Sequence, residues 1–299
     1  MNNFLFSAAV SLATGPFTMF APQQAEAPKP QTEDAIVIQG TRPSEHEVRD
    51  FVRALTNVPS YGQIGRFHAA VCPVAMGLPQ VQNDQIAERM RAVASAAKIK
   101  VAPAKCTPNA FVIVAPDKAA AIRDLQKRFP AYLSQMSARQ VRDLEDSPEP
   151  AAAWQVKGLL TADGLEAAKV AGHDSYTIKS ADNPSRIKAN SKPTFTAAVV
   201  VIDVKAAAGL TPTQLADYAA MRTFADVAPA RLTRVGVPTI LGAVGAPDNR
   251  PVPVTLTYWD LGFLKSLYAT DNSYLAGYQR GDMEQVLSKT VETSDKDPK

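Results

Sequence analysis

The amino-acid sequence predicts an α+β fold in which a mixed sheet is flanked by helices and one disulfide crosslinks the chain. Two continuous apolar runs, at 110–115 and 194–204, are typical of strands buried on both faces. Around them, capping residues followed by apolar residues at helical spacing predict several helices. Of the 299 residues, 46% are hydrophobic and 20% are charged, a composition typical of globular chains rather than disordered ones.

The first predicted helix covers residues 44–57, where Ser44 and Glu47 form a capping box. Its buried face is predicted from the helical spacing of Val48, Phe51, Val52 and Leu55. A second helix is expected to open at Asn83 or Asp84 and to end near residue 98.

Alternating residues at 98–102 predict a short strand before the buried strand at 110–115. Two further helices follow, the first opened by Asp117 and the second by Ser137 and Gln140. The proline- and alanine-rich segment 147–153 is interpreted as a hinge that could subdivide the domain.

In the second half, strands are expected at 154–160 and 176–180, and the apolar run at 194–204 should lie centrally in the sheet. Two helices are then predicted from their capping pairs, Thr211 with Gln214 and Thr257 with Asp260. A last helix should run from Asp282 to about residue 291.

The N-terminus predicts a secretory signal peptide over residues 1–27. Residues 4–21 are apolar and uncharged, and Ala25-Glu26-Ala27 offers the small-x-small pattern of a cleavage site. Because Met1-Asn2-Asn3 contains no Lys or Arg, a loosely packed N-terminal helix is the alternative. The expected plan is completed by a linker at 28–42, a single α+β domain at 43–290 and a disordered tail at 291–299.

Export would place the mature chain in the periplasm or outside the cell. No later stretch approaches about 18 uninterrupted apolar residues, so no transmembrane anchor is expected after signal cleavage. The segment AIVIQG at 35–40 resembles segments near the start of mature TonB-dependent outer-membrane proteins, which implies an envelope protein partner. A first edge strand or an ordered tether is the alternative interpretation of the same residues.

Cys72 and Cys106 are the only cysteines. An even pair in an exported chain predicts a disulfide between them. Neither residue belongs to a CxxC motif, and both lie in proline-rich loops, which favours a structural crosslink over a nucleophile or a metal ligand.

The sequence shows none of the strong catalytic or cofactor motifs. The net charge of +3, from 32 basic and 29 acidic residues, does not favour nucleic-acid binding. HExxH, GxSxG, GxGxxG and phosphate-loop patterns are missing, and the histidines, His46, His68 and His173, are far apart. No metal and no cofactor are therefore expected, and the SxxK pattern at 185–188 is interpreted as chance.

A resemblance to a known fold covers about residues 194–290. The order of a central strand, the helix at 211–227, a PTILGAV segment and the stretch from Leu256 to Tyr268 resembles zincin-type metalloproteases and related exported domains of unknown function in Gram-negative bacteria. Active members carry HExxH where this chain has residues 217–221, DYAAM. The resemblance therefore implies a non-catalytic relative, and no metal ligand is carried over.

Two functions follow from these observations. The first is an exported, non-catalytic binding or structural domain of the cell envelope, whose ligand the sequence does not identify. The alternative is a hydrolase, metalloprotease-like but atypical, with dispersed catalytic residues. For that alternative the carboxylates to inspect are Asp203, Asp217 and Asp260, because a cleft that joins two of them would support acid–base chemistry.

Overall fold

A four-stranded mixed sheet lies between two layers of helices, which confirms the predicted α+β fold. Its strands run in the order β1-β2-β6-β3. The first three strands of that order are parallel, and β3 pairs antiparallel with β6. Their bounds are Pro73–Met76 for β1, Ala110–Ala115 for β2, Ala151–Thr161 for β3 and Ser191–Asp203 for β6. A separate two-stranded ribbon is formed by β4 (Ala168–Lys169) and β5 (Tyr176–Thr177).

Seven α-helices accompany these strands in the computed structural model, which describes residues 44–56, 58–170, 175–179, 184–247 and 250–294. They are α1 (Glu45–Leu55), α2 (Gln80–Ala96), α3 (Lys118–Arg128), α4 (Ala138–Asp146), α5 (Pro212–Phe224), α6 (Tyr258–Ala269) and α7 (Ala276–Ser294). Capping boxes open α1, α4, α5 and α6 at the predicted positions, because each cap residue exchanges hydrogen bonds with the residue three positions on.

The two faces of the sheet build two hydrophobic cores of unequal size. The larger core packs α1, α2, α5, α6 and α7 against one face, and the smaller core packs α3 and α4 against the other. Alternate residues of β6 serve the two cores: Val200 and Ile202 face the larger one, whereas Val199 and Val201 face the smaller one. Burial on both faces explains why residues 197–202 of this strand are all apolar, and the strand lies between β2 and β3 inside the sheet, as predicted.

Residues 151–153 of the segment interpreted as a hinge form the start of β3, and the sheet joins β1 and β2, which precede this segment, to β3 and β6. The buried ammonium group of Lys118 donates hydrogen bonds to the carbonyls of Ser147 and Glu149, at 2.7 and 3.0 Å. Residues immediately before β3 are thereby fixed to the first turn of α3.

The outer edge of β3 is irregular. The pairing register with β6 shifts between Val156 and Lys157, which marks a β-bulge. On the solvent side, the side-chain amide of Gln135 accepts a hydrogen bond from Lys157 N–H at 2.7 Å and donates one to its carbonyl at 2.5 Å. A side chain therefore occupies both polar backbone groups of this edge residue.

Two predicted helix starts are wrong. Helix α2 begins at Gln80 rather than at Asn83 or Asp84, because the Asn83 amide bonds back to the backbone of Leu78 from inside the first turn. Helix α7 begins at Ala276, so Asp282 lies within it. The backbone carbonyls of Gly62 and Ser60 accept from the first N–H groups of α7, at 2.7 and 3.1 Å, and replace a capping side chain.

Two other boundaries differ from the expectations. The strand expected at 98–102 is only a single bridge between Val71 and Val101. Helix α7 continues to Ser294, past the expected start of the tail. The predicted signal peptide at 1–27, the linker at 28–42 with its AIVIQG segment, and His173 lie outside the described residues. Within the described ranges, no helix is both long and apolar enough to span a bilayer.

Candidate functional site

Asp217, one of the three predicted carboxylates, is completely buried in α5 and serves packing between helices. Its two oxygens accept from Arg89 of α2, with Nε at 2.8 Å and Nη2 at 3.2 Å. They also accept from the Thr255 hydroxyl and the Leu256 N–H, both at 2.7 Å. Asp217 therefore ties α2 and α5 to the segment that leads into α6.

Asp260 is also fully buried, at the third position of α6. It accepts from the Thr257 N–H at 2.9 Å, from the Thr257 hydroxyl at 2.8 Å and from the Ile240 N–H at 2.9 Å, and it also bonds the Thr239 hydroxyl. Burial raises the pKa of Asp260, and these hydrogen bonds oppose the rise. The carboxylate caps α6 and fixes the 239–240 turn beside it.

The structure does not assemble the three carboxylates into a cleft. Asp203 lies half-buried at the end of β6, where its side chain accepts from the Lys205 N–H at 2.9 Å. Asp217 and Asp260 engage neighbouring residues at the start of α6, but through hydrogen bonds that stabilise the fold. In the part of the chain that the structure describes, no group of three or more His, Cys, Asp or Glu residues is placed to hold a metal ion.

The predicted disulfide is confirmed between Cys72 and Cys106, with Cα atoms 6.1 Å apart. It joins the residue before β1 to the loop before β2, so it crosslinks the entry to two neighbouring strands. The Arg91 guanidinium lies 3.4 Å from the Cys106 sulfur, and Asn109 bonds the Cys72 N–H at 2.7 Å. These contacts and the position of the pair between two strand entries indicate that the disulfide has a structural role.

Two histidines have distinct surroundings. His46 is exposed and lies 3.2 Å from Asp50 on the same face of α1. His68 is half-buried, and its Nε2 accepts from the Asn272 amide at 2.9 Å. Burial, with the charges of Arg66 and two nearby lysines, lowers the pKa of His68 to about 4. His68 is therefore a neutral hydrogen-bond acceptor at neutral pH.

A cavity lined by arginines lies where α1, α7 and the 3-10 helix Pro229–Arg234 meet, and we call it the arginine groove. Its volume is about 660 Å³. Three guanidinium groups and one carboxylate line it, together with small polar and apolar groups. Its lining residues are Arg53, Thr56, Val58, Pro59, Ser60, Arg231, Gly277, Arg280, Gly281 and Glu284.

The three arginines of the groove differ in how strongly the fold engages them. Arg280 donates from Nε to the Thr56 hydroxyl at 2.8 Å and from Nη2 to the carbonyl of Val58. Arg53 forms a long ion pair with Glu284, at 3.8 Å, and its side chain is 64% exposed. The exposed side chain of Arg231 has no hydrogen bond or ion pair with any described residue.

A buried polar network fixes the loop that forms one wall of the groove. Gln63 donates to the carbonyls of Ser191 and Asn272 at 2.8 and 3.0 Å. Gln279, fully buried in α7, accepts from the Ile64 N–H at 2.6 Å. These bonds anchor the loop just after the lining residues 58–60, and the Ser60 carbonyl itself accepts from the Gly277 N–H of α7 at 3.1 Å, so the fold holds this wall of the groove in place.

A second cavity, of about 390 Å³, contains the SxxK pattern. The Ser185 hydroxyl accepts from the backbone N–H of Ile187 and of Lys188, at 3.3 and 3.1 Å, which forms a local turn. The Lys188 ammonium lies 3.0 Å from Asp271. Burial raises the pKa of Asp271, but hydrogen bonds from Ser273 and the charge of Lys188 outweigh this effect and lower it to about 2. Ser185 and Lys188 therefore have structural contacts.

Sequence reasoning did not identify the arginine groove. Arg53, Arg231 and Arg280 are separated by long stretches of chain, and each alone is typical of a solvated helix surface. Arg280 and Gly281 line the groove from within α7, which begins six residues earlier than predicted. Only the packing of α1 against α7 and the 229–234 helix shows the cluster.

Comparisons with protein families, with curated proteins and with solved structures found no match. The resemblance of residues 194–290 to zincin-type domains therefore stays an expectation from element order.

Proposed function

We propose that this chain is an exported, disulfide-crosslinked protein of the cell envelope that acts by binding rather than by catalysis. The observation that carries the proposal is the engagement of the buried carboxylates. A general base or nucleophile must present a lone pair to its substrate. The oxygens of Asp217 and Asp260 instead accept from arginine, hydroxyl and backbone donors, which favours a role in stability for both.

The disulfide supports the export component of the proposal. Structural disulfides persist in oxidising compartments and are rare in the reducing cytosol. The Cys72–Cys106 crosslink is thus compatible with the periplasmic or secreted location expected from the apolar residues at 4–21.

The arginine groove is the binding site that the proposal favours. Its volume of about 660 Å³ lies within the range of about 300–1,000 Å³ typical of small-ligand sites. Its wall is fixed by the polar network of Gln63 and Gln279, and the Arg231 guanidinium points to no partner among the described residues. A rigid wall with an unused charged donor is suited to ligand binding.

Mass spectrometry of the protein recovered from periplasm, medium and cytosol tests the proposal. Alkylation before reduction should leave Cys72 and Cys106 unlabelled, and the mature chain should begin after Ala27 in the periplasm or medium. A Cys72→Ala variant is the matched control, since its Cys106 should be labelled. Full-length protein in the cytosol with both thiols labelled would refute export.

Two further measurements separate the alternatives. If the chain is a hydrolase, Asp217→Asn or Asp260→Asn abolishes an activity while the fold persists. If the chain acts by binding, both variants should instead have a lower free energy of unfolding, because each carboxylate stabilises the fold.

Deletion of residues 35–40 tests the envelope partner suggested by AIVIQG. Unchanged envelope association after the deletion would remove that partner from the proposal.

A further inference from the structure

The charge of the arginine groove is not balanced by its own lining. Three positive guanidinium groups and the single carboxylate of Glu284 leave an excess of two positive charges. Arg53 pairs with Glu284 at 3.8 Å but keeps 64% of its side chain exposed, and the exposed side chain of Arg231 has no hydrogen bond or ion pair with any described residue. Both guanidinium groups can therefore reach a ligand in the groove. Burial and the charge of Arg53 lower the pKa of Arg280, and the charge of Glu284 opposes them.

We propose that the arginine groove binds a phosphate monoester, with Arg53 and Arg231 as the ligand-binding arginines. This inference rests on the proposed binding function and names its ligand class. A phosphate monoester carries close to two negative charges at neutral pH, which matches the excess charge of the lining. Arg280 positions the groove through its bonds to Thr56 and Val58.

The arrangement of the arginines favours phosphate over carboxylate. A carboxylate presents two oxygens in one plane, which match the planar fork of one guanidinium group. Here the guanidinium groups come from three separate segments, α1, the 229–234 helix and α7. A tetrahedral phosphate presents three terminal oxygens in different directions, so it can accept from several arginines at once.

The size of the groove indicates an organic group on the phosphate. A cavity of about 660 Å³ exceeds what a phosphate group alone fills. Val58 and Pro59 provide apolar surface in the lining, and the exposed Ser60 adds a hydroxyl group. The ligand class is therefore a phosphate on a polar organic group of modest size, such as a sugar, whether free or as the headgroup of a lipid.

Isothermal titration of the full mature chain at low ionic strength tests the inference with three probes: inorganic phosphate, glucose 1-phosphate and succinate. Glucose 1-phosphate should bind more tightly than succinate. Arg53→Gln and Arg231→Gln should each weaken its binding by about tenfold, the expected effect of losing one charge-assisted contact. Arg139→Gln is the matched control, because this exposed arginine belongs to α4 on the opposite face of the sheet.

Sedimentation with phosphatidylcholine vesicles, with and without phosphatidate, distinguishes the source of the phosphate. Binding to phosphatidate vesicles that depends on Arg231 supports a lipid headgroup, and binding of glucose 1-phosphate alone supports a free ester. No binding of any phosphate probe, equal affinity for succinate, or equal losses in Arg139→Gln would overturn the inference. The export experiment does not involve these variants, so it would still test the proposed function separately.

Discussion

Removal of the buried carboxylate of Asp217 should destabilise the protein strongly. Asp217→Ala takes away the partner of Arg89, whose side chain is only 11% exposed. It also leaves the buried Leu256 N–H without its acceptor. Breaking a buried ion pair by removing one partner costs about 3–5 kcal/mol of unfolding free energy. Because Arg89 keeps its hydrogen bond to Thr255 at 2.7 Å, we expect a loss of about 3–4 kcal/mol.

Urea unfolding measures this loss through tryptophan fluorescence, since Trp154 and Trp259 are both buried and become exposed on unfolding. The matched control is Asp226→Ala, which breaks a 2.8 Å ion pair with Lys157 at a site where both side chains are about half exposed. A surface pair of this kind contributes at most about 1 kcal/mol. The double variant Arg89→Leu with Asp217→Leu should lose less stability than the sum of the single variants. Equal losses for Asp217→Ala and Asp226→Ala would refute the structural role assigned to Asp217.

Three further outcomes follow from the structure. Replacing Cys72 and Cys106 by alanine should lower the unfolding free energy by about 4 kcal/mol, because the crosslink closes a loop with a sequence separation of 34. In urea unfolding of this variant, a reductant should have no further effect. The stability of the wild type should fall as the pH drops from about 6.5 towards 4, because folding lowers the pKa of His68 to about 4 and the unfolded chain binds the proton first; His68→Gln should reduce this slope. Gly77→Ala should be severely destabilising in thermal unfolding, because its Cβ would lie 1.9 Å from the Val114 carbonyl oxygen, whereas Gly164→Ala, which also has positive φ but open space, should lose much less.

Each of these has an outcome that contradicts it. If the variant without the disulfide were as stable as the wild type, the crosslink would not stabilise the fold by restricting the unfolded chain. If the stability of His68→Gln fell with pH as steeply as that of the wild type, groups other than His68 would cause the pH dependence. Equal losses at Gly77 and Gly164 would mean that backbone strain, rather than the contact with Val114, decides the effect.

Elements that depend on local signals could be predicted from the sequence. The capping box of Ser44 and Glu47 and the apolar run at 110–115 act through residues within a few positions of each other, so a single stretch of sequence contains the whole signal. The disulfide was predictable as well, because two cysteines allow one intramolecular pairing. The interior position of β6 in the sheet followed from its apolar run at 197–202.

Features that depend on distant partners could not be predicted. The start of α7 is set by the carbonyls of Ser60 and Gly62, more than two hundred positions away, so no capping residue marks Ala276. The hydrogen bonds between Asp217 and Arg89 join two helices 128 positions apart. The sequence does not show this pairing, so it left Asp217 as a candidate catalytic carboxylate. The arginine groove could not be predicted for the same reason, since its three arginines come together only when three distant segments pack.

The bulge beside Lys157 has a consequence for the behaviour of the protein at high concentration. Exposed strand edges recruit strands from other molecules when their N–H and carbonyl groups are free. Here Gln135 satisfies both groups of Lys157, and the charged side chain disfavours a close neighbour. At Lys157, β3, one of the two edge strands of the sheet, is thus closed to pairing with a strand of another molecule.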